Sequence, residues 1–240
     1  METGPNADYY DRPAVVERFY AARERGLRER ERRAVDAHFD PGGRLLDLGC
    51  GAGRTSAALD AEGFDVVGLD TSRPMLSIAA ESDPGVTYLV GDASALPFPS
   101  GSFPQVLFSY NGIDELRPES ARVAALREAY RVLEPGGRFA FSSHNLLRWL
   151  LPVPPTRDWL TKMARFWRRN VRAGNVGSPY KALREGVTVH VTDPLSLLRQ
   201  VRAVGFDVLD LVGTARPGST LVGPCTFVVA EKPDPSLIRG

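Results

Sequence analysis

The segment LLDLGCGAG, Leu45 to Gly53, carries an apolar run into three glycines, Gly49, Gly51 and Gly53. Glycines so spaced let the backbone turn tightly and approach a ligand where a side chain would collide. A helix starting near Arg54 would direct its free N–H groups at that ligand. Asp70 closes the next apolar run, VVGLD. It lies about twenty residues beyond the glycines, where an acid accepts hydrogen bonds from ribose hydroxyls. Two features separate this turn from a dinucleotide site. Counted from Gly49, the pattern G-x-G-x-x-G needs glycine at 54, where Arg54 stands. Asp47 precedes the first glycine and would repel a pyrophosphate; it suits a ligand with a cationic amino-acid group.

Further polar candidates follow strand ends, where open α/β sheets bind ligands. One run leads to Tyr110, Asn111, Asp114 and Glu115, and another to His144 and Asn145. His144 is the first choice for a general base or acceptor contact, against a plain backbone or solvent contact. His190, in TVHVTD, either approaches the same pocket or is a strand-surface histidine. His38 ends a helix and reads as structural. The three scattered histidines and two cysteines, Cys50 and Cys225, match no metal spacing and no disulfide framework.

The elements that position these residues alternate regularly. Residues Pro13 to Phe39 read as helix, with Arg23–Arg33 as a solvated charged face. Strands are predicted at Leu45–Leu48, Asp65–Leu69, Val86–Val90, Gln105–Ser109 and Arg138–Ser143. Helices are predicted at Arg54–Glu62, Pro74–Glu81 and Glu119–Leu133, the last closed by Pro135-Gly136-Gly137. After a break the rhythm resumes with strand Val187–Val191, helix Pro194–Val204 and strands Asp207–Val212 and Thr226–Glu231, the last two joined by a hairpin connection over Gly213–Pro224. Such alternation implies βαβ units in an α/β fold with a doubly wound, mostly parallel seven-stranded sheet. An antiparallel edge strand fits the C-terminal end.

LLDLGCGAG and VVGLDTS resemble the first two motifs of class I S-adenosylmethionine (SAM)-dependent methyltransferases. LVGDASALPFPSGSFPQVLFS resembles the segment around their third and fourth strands, and LREAYRVLEPGGRFAFSS their helix, turn and fifth strand. The likeness runs from about Gly42 to Ser143 and continues more faintly from Thr192 to Lys232. It implies SAM as cofactor, S-adenosylhomocysteine as product and no metal, because a sulfonium methyl is already electrophilic. By the same resemblance Asp47, Gly49, Gly51 and Gly53 surround the methionine portion, and Asp70 holds the ribose. Thr71 and Met75 lie near ribose and adenine, though Met75 equally suits helix packing. Asp92 accepts from the adenine amino group beside Ala93, or else bonds its own loop. Tyr110 lies along the cofactor near the transfer site, so Tyr110, His144 and His190 are the catalytic candidates.

Leu146–Glu185 holds all three tryptophans, Trp149, Trp159 and Trp167, and nine Lys/Arg against two Asp/Glu. It reads as an inserted acceptor cap over residues 145–186, helical around Asp158–Val171, whose rings stack the acceptor and whose arginines hold an anionic group. Equally, the tryptophans dock the cap while arginines face water. Nucleic acid or a membrane surface is a weaker alternative partner. The whole chain is read as one domain, 1–240, with an N-terminal helical lid over 1–40. Net charge is only +1, the N-terminus lacks a secretory signal, and no apolar run reaches the length of a membrane span. The expectation is a cytoplasmic enzyme methylating an oxygen or nitrogen of a small-molecule acceptor. An RNA or protein methyltransferase using the basic insert, and a non-catalytic SAM-binding protein, are the alternatives.

Overall fold

The computed structural model describes residues 6–151, 156–184, 187–213 and 223–236. Five strands run parallel in the order β3-β2-β1-β4-β5: β1 Arg44–Leu48, β2 Asp65–Asp70, β3 Thr87–Val90, β4 Phe103–Phe108 and β5 Leu133–His144. Near the other edge the sheet turns antiparallel. The last strand, Cys225–Glu231, pairs antiparallel with β5 on one side and with Asp207–Leu211 on the other, giving seven strands. The hairpin connection expected over Gly213–Pro224 lies largely outside the described residues.

Both faces of the sheet are covered, so its central strands read as near-continuous apolar runs. Leu46, Leu48, Val106, Phe139 and Phe141 pack with Ala125, Leu126 and Ala129 of the helix Glu119–Val132 and with Leu197 and Val201 of the helix Pro194–Val204. Their alternates, Leu45, Leu107 and Ala140, pack with Ala34 and Val35 of Glu29–His38 and with Leu59 of Arg54–Asp60. The helices Arg54–Asp60, Arg73–Ser82 and Pro194–Val204 begin and end within two residues of their predicted bounds, and caps mark two of the starts. Ser72 accepts from Met75 N at the start of Arg73–Ser82, and Asp193 accepts from Ser196 N at 3.0 Å. Pro135-Gly136-Gly137 does not end the helix before the strand begins. It forms an irregularity inside β5, where Gly136 takes φ 76° and the register against β4 shifts.

Three expectations need correction. The single N-terminal helix is divided into Ala7–Tyr10, Pro13–Ala21, a 3-10 turn at Arg23–Arg25, and Glu29–His38. Gly26 at φ 55° makes the break, in a region where a Cβ is strained. Arg23–Arg33 is not a uniformly solvated face, because Arg30 and Glu31 are buried. The strand at Val187–Val191 is not part of the main sheet. Val187–His190 pairs instead with Tyr180–Arg184 in a two-stranded ribbon, tied to the end of β5 by a bridge between Asn145 and Thr192.

The insert contains helices Leu147–Leu150 and Arg157–Arg172 followed by the first strand of that ribbon, so it is helical only in part. Trp149 stacks on Phe166 with centroids 4.2 Å apart, and Trp167 Nε1 donates to Trp149 O. Trp159 is buried as well. The aromatic residues therefore pack the insert together, while Arg165, Arg168, Arg169 and Arg172 line one open face of its long helix. Among the described residues no helix is long and apolar enough to cross a membrane.

Candidate functional site

The glycine turn leaves β1 at the sheet's C-terminal edge. Gly49, Gly51 and Gly53 take φ of 63°, 55° and 82°, and Gly53 caps the helix Arg54–Asp60. A Cβ on Gly49 would stand 2.9 Å from the Phe108 ring, so the close approach excludes any other residue. Asp70 organises the turn. Its Oδ2 accepts from Gly51 N at 2.8 Å and its Oδ1 from Ser72 N at 2.8 Å. Burial pushes this carboxyl above its ordinary value, while the N–H groups of Ser72, Gly51 and Thr71 pull it back.

Asp47 is 1% exposed. Its Oδ2 accepts from Thr55 Oγ1 at 2.5 Å and Ser56 Oγ at 2.6 Å, both in the first turn of the following helix. Its Oδ1 has no hydrogen-bond partner among the described residues. Burial pushes Asp47 up to about 6, against the hydroxyl donors and the Arg54 charge. A buried acceptor of this kind fits the cationic group expected of the cofactor's amino-acid portion. Met75, 2% exposed, lies against the turn, its Sδ 3.3 Å from where a Cβ on Gly51 would be. Thr71 is exposed. Asp92 makes the local loop contact, its Oδ1 accepting from Ser94 N and Ser94 Oγ at 2.8 Å each, beside buried Ala93.

The N-terminal segment closes over this edge. Glu31, buried, accepts from both terminal nitrogens of Arg54, Nη1 and Nη2, at 2.7 Å each. Burial alone would raise Glu31, but Arg54, Arg28 N and Ser109 outweigh it and hold the carboxyl below its ordinary value. Arg28 stacks over the Tyr110 ring at 4.2 Å, and Phe19 meets the same ring edge-on. Tyr110 and Asn111 adopt left-handed φ of 56° and 61°, a strained conformation for both residues directly after β4. Tyr9, Val15 and Val16 pack with Met75 and with Val187, Val189 and Val191 of the ribbon.

A second constellation stands at the ends of β4 and β5. Asp114 is fully buried in a 3-10 turn, Gly112–Glu115. Its Oδ2 accepts from His144 N at 2.5 Å and lies 2.9 Å from His144 Nδ1; its Oδ1 accepts from Ser143 Oγ at 2.8 Å. A carboxylate on Nδ1 fixes the proton there and leaves Nε2 as the basic nitrogen. Nε2 lies 3.4 Å from Asn111 Nδ2. His190 is 3% exposed, with its Nδ1 4.0 Å from Asp114 Oδ1. Burial first, then Arg122, hold its imidazole below the ordinary value.

The structure thus gathers Asp47, the glycines, Asp70 and Met75 at one end of β1 and β2, and His144 and His190 around Asp114 nearby. Tyr110 sits between Arg28 and Phe19 at the end of β4. Sequence reading missed Glu31, which lay in a stretch read as a solvated face, and the role of Arg54, which it used only to mark a helix start. It also missed Arg122, although Arg122, Leu126 and Ala129 share one helical stripe that is otherwise apolar, and that was a usable signal. Nothing local marked Tyr180, which meets His190 only through ribbon pairing. Among the described residues no cluster of three or more His, Cys, Asp or Glu suits a metal ion.

A family model described as "Methyltransferase domain" matches residues 45–137. The chain is 34% identical over 190 residues to a protein of Thermus thermophilus named demethylmenaquinone methyltransferase, covering 74% of this chain and 80% of that one. A protein of the same name from Beutenbergia cavernae is 40% identical over 109 residues, 45% of this chain and 44% of its own, so the match spans under half of that relative. Among solved structures, a SAM-dependent methyltransferase of Methanosarcina mazei superposes with TM-score 0.69 at 18% identity, covering 87% of this chain and 99% of that one. The cyclase SpnF superposes with TM-score 0.66 at 18% identity over 97% and 98% of the two chains. These superpositions establish the fold, and the second shows that the fold alone does not name a reaction.

Proposed function

Because the chain belongs to the class I SAM-dependent methyltransferases, we propose that it transfers the methyl group of SAM to an oxygen or nitrogen of a small-molecule acceptor. The observation that carries this reading is the Asp114–His144 pair at the ends of β4 and β5, next to a glycine turn holding Asp47 and Asp70 at the ends of β1 and β2. Asp47 Oδ1 would take the cofactor's ammonium group, and Asp70 its ribose hydroxyls. Met75, Thr71, Asp92 and Ala93 would border the adenosine, with Tyr110 along the cofactor. The bound cofactor supplies an electrophilic sulfonium methyl.

The protein's own part is to orient the acceptor, remove its proton and keep water out. His144 Nε2 takes the proton of an acceptor hydroxyl or ammonium. Asp114 holds the ring in place and stabilises the imidazolium that forms. The N-terminal helices and the ribbon, packed together through Tyr9, Val15, Val16, Val187 and Val189, act as the lid, with the insert as the acceptor cap. A small acceptor is supported by the relatives' names, which specify a quinone. The test is an acceptor screen scored by S-adenosylhomocysteine release. Phenols, catechols, hydroxy acids and amines should include at least one acceptor-dependent signal. Release only with RNA or protein substrates would replace the small-molecule reading.

A further inference from the structure

Resting on that reading, we propose that Arg117, Arg122, Tyr180 and His190 form a site for a carboxylate carried by the acceptor, beside the Asp114–His144 pair. Arg122 is fully buried. Its Nη1 donates to Gln200 Oε1, while its Nε and Nη2 have no hydrogen-bond partner among the described residues. The same holds for buried atoms of three neighbours: Arg117 Nε, Tyr180 Oη and His190 Nδ1. These groups come from separate parts of the chain and converge. Tyr180 and His190 are partners across the ribbon, their rings 5.5 Å apart and edge-on. The Arg117 guanidinium lies over the Tyr180 ring at 4.5 Å. Arg122 Nε and His190 Nδ1 stand 3.5 Å and 4.0 Å from Asp114 Oδ1.

Buried donors in native proteins are hydrogen-bonded, so a cluster of unpartnered ones marks a place for an acceptor group. Asp114 meets only part of that need: its Oδ1, which accepts from Ser143 Oγ, faces Arg122 Nε and His190 Nδ1, and leaves Arg122 Nη2, Arg117 Nε and Tyr180 Oη without a hydrogen-bond partner among the described residues. Glu115 is turned away, bonded to Tyr10 and Asn6, and Glu119 is exposed at the helix start. A planar carboxylate can accept from Arg122 Nη2, from the Arg117 guanidinium and from the Tyr180 phenol. Held there, a hydroxy or amino acid would be anchored by its acid while its nucleophile faced His144.

The experiment titrates S-adenosylhomocysteine-loaded protein with a panel of aryl and aliphatic carboxylic acids and their primary amides. At least one acid should bind ten times more tightly than its amide. Tyr180→Phe and Arg117→Gln, which leave buried Arg122 in place, should each weaken that acid at least fivefold without changing amide or S-adenosylhomocysteine affinity. Acids and amides binding alike, no acid binding to protein that binds S-adenosylhomocysteine, or variants indifferent to the acid would overturn the proposal. A protein that fails to bind S-adenosylhomocysteine would instead sink the methyltransferase reading, and the same titration on free protein would still decide the carboxylate site.

Discussion

His144→Gln is expected to lower kcat by about 10²–10⁴-fold, the usual contribution of a positioned general base, with cofactor affinity unchanged. Glutamine cannot take a proton but can still reach Asp114, so the fold around β5 should survive. The variant has a kinetic signature beyond simple loss. Its residual rate should climb about tenfold per pH unit, because solution ionisation of the acceptor hydroxyl then replaces the missing base. Full activity in the variant would mean that the acceptor reacts without losing a proton early. His144 is a cleaner target than Asp114. Removing the Asp114 charge would leave Arg122 buried beside no counter-ion, and breaking a buried pair costs about 3–5 kcal/mol.

Asp47→Asn is expected to move stability and affinity in opposite directions. Burial raises this carboxyl from an ordinary 3.8 to about 6. Between those values the folded protein binds the proton more tightly than the unfolded chain, so stability falls as pH rises through the window. At neutral pH the ionised group costs about 3 kcal/mol. A neutral amide removes that cost and still accepts from Thr55 and Ser56, so the ligand-free variant should unfold at higher urea. A cationic ligand at Asp47 favours the ionised form. Cofactor binding should therefore release a proton and weaken as pH falls through about 6, and the variant should lose at least tenfold in affinity. Urea titration and calorimetry at pH 5 and pH 7 measure both effects. Undiminished affinity in the variant would place the cationic group elsewhere.

The parallel core was legible because its signals are local. Apolar runs of strand length, Pro and Gly punctuation and capping residues such as Ser72 and Asp193 mark their own positions. The glycine turn and Asp70 were legible for the same reason. The break at Gly26 was not, since one glycine within a charged, helix-favouring stretch does not by itself stop a helix. The burial of Glu31 depends on Arg54, twenty-three residues away, and on Ser109 beyond that. Such long-range pairing turns an apparently solvated charge into a core ion pair. The ribbon was misplaced because Val187–His190 has ordinary strand periodicity, and periodicity does not say which sheet a strand joins. The surroundings of Asp114 followed only once β4, β5, the helix at Glu119–Val132 and the ribbon were brought together.

Cofactor binding at the glycine turn is the claim on which the rest depends. The most direct measurement is calorimetric titration of SAM and S-adenosylhomocysteine into the wild type and Asp70→Ala. Micromolar binding by the wild type is expected, weakened at least tenfold in the variant, which loses both the expected ribose acceptor and the carboxylate that orders Gly51 N and Ser72 N. Well-folded wild-type protein that binds neither compound, or a variant that binds both as tightly, would contradict the assignment of this turn.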